Sequence, residues 1–241
     1  MRLVRFIFLA LISLAVAASE RVMPFSALKP GDALVAPFNH ITLPKLKPNT
    51  IALVDADGKT VLHVDSDASA STLGIPLQQA AGTSQRLNWR WKVSRVLDKA
   101  DISKKTGDDL AARVYVFFDV PLASLSFGAR TKIRLARMLA GADVPTAAIC
   151  YVWDNHRAVG HTQNSAYTDR VRMIVLRSGE ASAGNWANES RDVAADFKAA
   201  FGTDAPAVTG VALGSDTDQT GERVSAWFGD IGFSPAPAAP Q

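Results

Sequence analysis

The stretch that decides the fold is NWANESRDVAADFKAAFG at residues 185–202, followed by APAVTGVALGSDTDQTGERVSAWFGDIGF at residues 205–233. The first segment has the apolar spacing of a single amphipathic helix. The second predicts a strand, an acidic turn at residues 216–220 and a closing strand that ends in Gly-Asp-Ile at residues 229–231. We therefore expect a helix that lies against a sheet.

The helix is predicted over residues 189–201. Asn188 is suited to cap its first turn, and Glu189 lies near the positive end of the helix dipole. The apolar residues fall at i, i+4, i+7 and i+8 and form one stripe, made of Val193, Phe197, Ala200 and Phe201. Gly202 is a usual helix stop, so the helix is expected to end there.

Strand patterns dominate the rest of the chain. Residues 87–94 alternate strictly between apolar and polar side chains. This period of two places Trp89 and Trp91 on one face and Arg90 and Lys92 on the other. The pattern is typical of a half-buried strand whose tryptophans belong to the core.

Further segments complete at least eight predicted strands. The dipeptide Asp57-Gly58 predicts a tight hairpin. The other strands are expected at residues 51–55, 60–64, 112–119, 149–153, 171–176, 208–213 and 224–233. Only two helices interrupt them, at 131–140 and 189–201, and helices do not alternate with strands. We therefore predict an all-β fold, an antiparallel two-sheet sandwich of the jelly-roll type with one or two peripheral helices.

The N-terminus is typical of an export signal. Arg2 and Arg5 precede an almost wholly apolar run at residues 6–16, and Ala-Val-Ala at residues 15–17 supplies a cleavage site. The alternative is a retained anchor, but the run is shorter than the roughly 20 apolar residues that span a bilayer. Residues 1–17 are therefore expected to be removed as a signal peptide, which makes the mature protein periplasmic or secreted and free of the membrane.

Residues 25–233 contain no internal repeat and no linker, so we expect a single β-sandwich domain. The Pro- and Ala-rich tail at residues 234–241 is expected to be disordered. Cys150 is the sole cysteine and lies in an apolar string at residues 147–153. It cannot form an internal disulfide, and a buried, inert thiol is expected.

Charge and composition argue against nucleic acid as a partner. Removing Arg2 and Arg5 from 26 basic residues leaves 24, against 23 acidic residues, which is a net charge of +1. A nearly neutral surface gives little long-range attraction. The sequence also lacks a run of Lys and Arg interleaved with aromatic residues, which is typical of proteins that bind single strands.

Several short strings, spread over most of the chain, form a recognisable pattern when taken in order. They are TIALV (50–54), LNWRWKV (87–93), KTGDDLAARVYV (105–116), YVW (151–153), AFG (200–202), DTDQT (216–220) and GDI (229–231). Together they resemble a family of exported bacterial proteins, domain of unknown function 3047, over residues 48–233. The resemblance implies a fold and a compartment but no activity. The closing strand is also similar to those of jelly-roll carbohydrate-binding modules.

The acidic turn begins like a calcium-binding loop. Asp216 and Asp218 have the spacing of its first half, but its twelfth position is Trp227, where a bidentate Glu is required. A sandwich-type cation site that draws on Asp230 as well is one interpretation. The alternative is that these side chains brace the turn by bonding nearby amides. Apart from a structural calcium ion, no cofactor is expected.

A second acidic segment, Gly-Asp-Asp at residues 107–109, precedes a strand. Glycoside hydrolysis needs two carboxyl groups that face each other about 5–10 Å apart. One of these acids could form such a pair with Asp216 or Glu189. In the alternative interpretation, Arg113 and Arg191 bind the carboxylates as a structural brace.

Trp186 lies in a loop of small polar residues at 182–188 and is either a stacking platform for a sugar ring or a hydrophobic anchor. His156 and His161 have no third ligand nearby, so no metal ligands are assigned to them. The sequence lacks the nucleophile motifs Gly-x-Ser-x-Gly, Ser-x-x-Lys and His-Glu-x-x-His. Their absence favours a binding function over an enzymatic one.

These observations favour a non-catalytic periplasmic module that binds a glycan or another cell-envelope polymer. The alternatives are a hydrolase or lyase that acts on a polysaccharide through paired carboxylates, and a structural or assembly partner protein. The candidate ligand-binding residues flank the predicted strand and helix ends, where loops can converge. They are Asp108, Asp109, Arg113, Trp186, Arg191, Asp216, Asp218 and Asp230.

Overall fold

The computed structural model describes residues 20–79, 85–128, 130, 131, 133 and 145–235. The strands within these ranges are β1 (Glu20–Met23), β2 (Asn39–Thr42), β3 (Thr50–Ala56), β4 (Lys59–Asp67), β5 (Ala70–Gln79), β6 (Gln85–Val93), β7 (Leu110–Phe118), β8 (Ala147–Asp154), β9 (Thr162–Ser165), β10 (Thr168–Ser178), β11 (Ala187–Asp192), β12 (Val208–Asp216), β13 (Arg223–Phe228) and β14 (Ile231–Pro235). The helix α1 spans Val193–Phe201.

The strands form two sheets of seven. Sheet A has the order β1-β14-β6-β13-β4-β3, with β11 paired to the opposite edge of β6. Sheet B has the order β2-β5-β12-β7-β8-β10-β9. The pairs are antiparallel except for β8 and β10, which are parallel. From β4 to β7 and again from β11 to β13, each successive strand crosses to the other sheet. The predicted jelly-roll-type sandwich is therefore confirmed.

The core lies between the sheets and is rich in aromatic rings. The predicted alternation in β6 is confirmed, because Trp89 and Trp91 are 3% and 0% exposed. Their rings contact sheet B, at centroid distances of 5.3 Å from Trp89 to Tyr151 and 5.8 Å from Trp91 to Trp153. Large aromatic side chains dominate core energetics because each buries about 150–250 Å². Aromatic rings of β6 and β8 therefore form part of the contact between the two sheets.

The helix start predicted at Asn188 is wrong. Asn188 belongs to β11, which pairs with β6, and the helix begins only after Asp192. The Asp192 side chain caps the first turn by accepting a hydrogen bond from the Ala195 amide at 2.9 Å. The apolar stripe and the stop are confirmed, since Phe197 is buried and Gly202 adopts the left-handed conformation with φ 75°.

The closing strand predicted over residues 224–233 is interrupted at Gly229 and Asp230, so it is two strands, β13 and β14. Both pair with the same edge of β6, and the Gly229 amide donates to the Arg90 carbonyl at 2.9 Å. On their other edges, β13 pairs with β4 and β14 pairs with β1. The kink therefore separates β4 from β1 on the outer face of sheet A. β14 extends to Pro235, two residues into the predicted tail.

A smaller apolar cluster on sheet B encloses Cys150, which is 0% exposed. Burial raises the pKa of its thiol to about 12, so this is the buried, inert thiol that was expected.

Some predictions fall outside the described ranges. They include the signal peptide at residues 1–17, residues 236–241 of the tail and most of the helix at 131–140, of which Thr131 and Ile133 are described and helical. Over the described part of the chain, none of the helices has the length and apolar character needed to cross a membrane.

Candidate functional site

The loop before β7 and the turn after β12 meet at one end of sheet B. Antiparallel pairing of the two strands places Leu110 opposite Asp216. The fully buried Asp109 side chain accepts hydrogen bonds from the backbone amides of Gln219 and Thr220, at 3.3 and 2.6 Å. The two acidic segments that the sequence singles out are therefore neighbours, and Asp109 fastens one to the other.

One arginine lies among several carboxylates at this point, which we call the acid cluster (Asp108, Asp109, Arg113, Asp216 and Asp218). Arg113 and Asp216 form an ion pair in which each side chain is 9% exposed. Asp109, Asp216 and Asp218 each offer an oxygen atom, and these atoms lie within 4.8 Å of one another. Four carboxylates with a single guanidinium leave an excess of negative charge in a mostly buried place.

Asp108 responds to this environment. Its side chain is buried, and no described group donates a hydrogen bond to its Oδ1 atom. Burial raises its pKa to about 6; Arg113 opposes the shift, and the like charges of Asp109 and Asp218 add to it. Burial and the nearby Asp109 also raise the pKa of Asp218. Oδ1 of Asp216 is likewise buried with no hydrogen-bond partner among the described residues.

Two of the other predicted residues form separate contacts. Arg191 binds Asp196 at the start of α1 through two hydrogen bonds of 2.9 and 2.5 Å, and the Tyr151 hydroxyl donates to the same carboxylate. Asp230 lies on sheet A, where it accepts hydrogen bonds from the amide and hydroxyl of Ser26 at 2.8 and 2.5 Å. Neither residue belongs to the acid cluster.

The outer face of sheet A carries a groove with a volume of about 610 Å³. It lies where the kink between β13 and β14 separates β4 from β1. A Cβ atom at residue 229 would lie 2.6 Å from Arg90 Cγ, so only glycine lets the Arg90 side chain cross the kink. The polar side chains along the groove include Arg21, Lys59, Asn88, Arg90, Asn188 and Ser190.

Trp186 lies next to this groove, in a second depression of about 390 Å³ that shares Asn188 with it. Its indole nitrogen donates to Asp57 at 2.8 Å. The Arg90 guanidinium carbon is 4.2 Å and the Lys92 Nζ atom 5.1 Å from the ring centre. Both cations project from the same face of β6, so they contact Trp186 from the sheet side. Trp186 is therefore a half-buried surface ring and does not lie under α1.

The row of rings and cations continues from β6 to β13 and β4. Lys92 Nζ lies 4.8 Å from the centre of the Trp227 ring, and Trp227 stacks on His63 at 5.0 Å. Burial lowers the pKa of His63, and the charge of Asp65 opposes the shift. We call the row of Trp186, Arg90, Lys92, Trp227 and His63 the aromatic strip.

The sequence interpretation missed the groove. A signal for Trp227 was available, because residues 223–228 alternate and only Ser225 and Trp227 join the exposed Arg223 on the outer face. No local pattern marks Arg21 and Lys59, because their strands are distant in sequence.

The acids and the cations of this surface differ in whether they have partners. Both acids of the groove are engaged, because Glu189 pairs with Arg177 at 2.7 Å and Asp230 is bound by Ser26. Glu189 also accepts a hydrogen bond from the Trp91 indole at 3.0 Å. By contrast, four cations form no ion pair with any described residue. They are Arg21, Lys59, Arg90 and Lys92.

The family profile described as "Protein of unknown function (DUF3047)" matches residues 36–232. The chain therefore belongs to this family, which confirms the resemblance noted in the sequence. No curated protein matches the chain in sequence.

Solved structures with a similar arrangement share little sequence with this chain. The family 30 carbohydrate-binding module of a cellulosomal cellulase of Clostridium thermocellum is 11% identical, with 90% of this chain and 93% of that one covered and a TM-score of 0.35. The xyloglucanase domain of NopAA from Sinorhizobium fredii, solved with cellobiose, is 10% identical, with coverage of 83% and 93% and a TM-score of 0.44. Cellulose induced protein Cip1 is 12% identical, with coverage of 85% and 93% and a TM-score of 0.35. With such low identities and TM-scores, these similarities do not indicate a ligand for this chain.

Proposed function

We propose that this member of the DUF3047 family is an exported, non-catalytic module that binds a glycan or another cell-envelope polymer on the outer face of sheet A. Its main support is the groove of about 610 Å³, which adjoins the depression at Trp186. That volume lies in the range of about 300–1,000 Å³ that ligand sites occupy. The amide of Asn188 suits the hydroxyl groups of a sugar, as does the Oδ1 atom of Asn88, whose Nδ2 already donates to Arg86 and Ser234. The half-exposed Trp186 suits the apolar face of a sugar ring.

A binding role fits the groove better than hydrolysis does. General acid–base chemistry needs a carboxyl group that can reach the substrate and exchange a proton. In the groove, Glu189 is bound by Arg177 and Trp91, and Asp230 by Ser26. The predicted export adds to the proposal, because polymers of the cell envelope lie outside the cytoplasm. Mass spectrometry of the protein purified after expression of the full-length chain tests the predicted export, since cleavage is expected after residue 17.

We also propose that the acid cluster holds a structural calcium ion. Calcium takes six to eight oxygen ligands, largely from carboxylates. Asp109, Asp216 and Asp218 bring one oxygen each within 4.8 Å of the others. The buried Oδ1 atoms of Asp108 and Asp216, which have no donor among the described residues, support an additional positive ligand there.

Removal of the Trp186 ring tests the binding site. The mature chain and its Trp186→Ala variant are titrated with soluble polysaccharides in a calorimeter. Truncation of a central Trp in an interface costs about 2 kcal/mol or more, so affinity should fall about 30-fold. The melting temperature should stay nearly unchanged because the ring lies on the surface.

Tyr167→Ala is the matched control, since Tyr167 is 55% exposed and lies between β9 and β10 of sheet B. Equal losses in the two variants would contradict a site at Trp186. Release of new reducing ends would favour the hydrolase alternative. Failure to bind any polymer would leave the structural or assembly role.

A further inference from the structure

The cations beside the groove have no charged partner within the described residues. Arg21 and Lys59 are exposed, at the starts of β1 and β4, and Arg90 and Lys92 project from the outer face of β6. Elsewhere on this sheet, an outer-face cation is paired: Arg223 binds Asp65 through Nη2 at 2.8 Å. Arg86, on the same face of β6, has no ion pair either, but its guanidinium donates to the hydroxyl and carbonyl of Ser190. The four cations beside the groove differ from both, because within the described residues their side chains have neither an ion pair nor a hydrogen-bond acceptor.

We infer that the groove recognises an acidic polysaccharide, one whose sugar rings carry carboxylate groups, an inference that rests on the proposed glycan-binding function. Each of the groove's own acids already has a partner, so the fixed charge that faces a ligand is positive. A neutral glycan would leave this charge uncompensated in the complex, whereas a uronate would pair with it.

Arg90 is the residue best placed to bind a carboxylate. Its guanidinium lies 4.2 Å from the centre of the Trp186 ring, which fixes the position of a long side chain. Its side-chain N–H groups have no acceptor among the described residues. Guanidinium groups bind carboxylates through two parallel hydrogen bonds, and the energy of such charge-assisted bonds exceeds that of neutral ones.

Gly229 positions Arg90. A Cβ atom at this residue would come within 2.6 Å of Arg90 Cγ and 2.7 Å of its Nε atom. Any side chain at residue 229 would therefore force the Arg90 side chain to shift. The kink between β13 and β14 thus serves to lay one arginine across the floor of the groove.

Sugar acids fit this surface better than a nucleic acid does. The cations are interspersed with hydrogen-bonding groups that suit hydroxyls, namely Asn88, Asn188 and Ser190. Nucleic-acid binding depends on the neutralisation of many phosphates by a basic surface. The mature chain has 24 basic residues, counted as 26 less Arg2 and Arg5, against 23 acidic ones.

The test compares each acidic polymer with the same polymer whose carboxylates are methyl esters. Polygalacturonate, alginate and hyaluronate are titrated into the mature chain in both forms, at low and high NaCl concentration. For at least one pair, the free acid should bind about tenfold more tightly or better at low salt. That preference should shrink as salt rises, because exposed charges are screened.

Two variants assign the preference to the groove. Arg90→Gln removes the charge but keeps a hydrogen-bonding group, and should lower affinity for the acid about tenfold and for the ester by a clearly smaller factor. Arg223→Gln is the control, because this cation of the same face is already paired with Asp65. It should change neither affinity by a comparable factor.

Three results would overturn the inference. If the ester and the acid of every pair bind equally, the ligand is a neutral glycan, and the proposed function stands without this specificity. If oligo-dT binds more tightly than all of the acidic polymers, the groove binds nucleic acid. If no acidic polymer binds in either form but a neutral polysaccharide does, this inference alone fails; if neutral polysaccharides do not bind either, the glycan-binding function fails with it.

Discussion

The acid cluster and the groove are both polar, and they differ in how their charges are satisfied. In the acid cluster, Arg113 and Asp216 pair with each side chain only 9% exposed, and Asp109 holds the amides of a turn. In the groove, the acids are engaged while Arg90 and Lys59 have no ion-pair partner among the described residues. Charges that face each other under loops stabilise the fold, whereas unpaired charges on an outer sheet face are available to a ligand.

This difference separates stability from binding. Changes in the acid cluster and core should lower the free energy of unfolding and leave glycan affinity nearly constant. Changes in the groove should do the reverse. The experiments below test that separation, beginning with the largest expected effect.

Trp91→Ala should lower the free energy of unfolding by about 3–5 kcal/mol, as for other large aromatic side chains truncated in cores. Trp91 is fully buried and contacts Trp153 of the other sheet. Its neighbour Lys92 lies on the outer face, so Lys92→Ala should cost little stability and should weaken glycan binding. Urea denaturation followed by fluorescence measures the stability of both variants. Equal shifts in the two midpoints would contradict the assignment of faces on β6.

Arg113→Met should be about as damaging, because it leaves the carboxylate of Asp216 buried without its partner. Breaking a buried ion pair in this way typically costs about 3–5 kcal/mol. Arg223→Met is the control, since its pair with Asp65 is exposed and should barely move the midpoint. A variant Arg113→Met that folds stably but no longer binds glycan would instead place Arg113 in the binding site.

Calcium should raise the melting temperature, and a chelator should reverse the rise. A ligand that binds only the folded state at about 100 times its Kd stabilises by about 2.7 kcal/mol. Asp218→Asn removes one of the three carboxylates whose oxygens lie within 4.8 Å of one another, so it should abolish most of this response. Trp186→Ala should retain the response. If calcium does not change the melting temperature of the wild-type chain, the proposed calcium site is excluded.

Much of the fold could be predicted because its signals are local. The alternation in β6 and the Asp57-Gly58 hairpin between β3 and β4 each depend on a few adjacent residues. The start of α1 could not be predicted in this way. Asn188 and Asp192 are both good capping residues, and the choice between them depends on the β6 edge, which takes residues 187–192 into the sheet.

The two candidate sites differ in the same way, by whether local sequence signals indicate them. The approach of residues 107–109 to the 216–220 turn follows from the ends of two paired strands, so sequence could suggest it. The groove depends on contacts between distant segments. Asp230, for example, is held by Ser26, 204 residues away in sequence. Whether Arg90 is paired is likewise visible only once the strands are assembled.

The smallest expected effect concerns pH and His63, at the end of the aromatic strip. Burial lowers the pKa of His63 in the folded protein, against the charge of Asp65, and Lys92 lies on the far side of the Trp227 ring. The unfolded chain, with a His pKa of about 6.5, therefore binds more protons at mildly acidic pH than the folded chain does. Stability from the neutral ring should be fully present above about pH 6.5 and should decline as pH falls towards the lower folded-state value.

His63→Phe keeps a ring against Trp227 and removes the titration. The difference in unfolding free energy between wild type and variant, measured at pH 7.5 and pH 5.5, isolates His63 from every other titrating group. The wild type should lose stability relative to the variant at the lower pH, by a modest amount because His63 is half exposed and solvent screens its charge. A relative gain at pH 5.5 would mean that Asp65 dominates over burial. His63 would then be a paired cation like Arg113 of the acid cluster, and the difference between the two regions would not hold at this end of the aromatic strip.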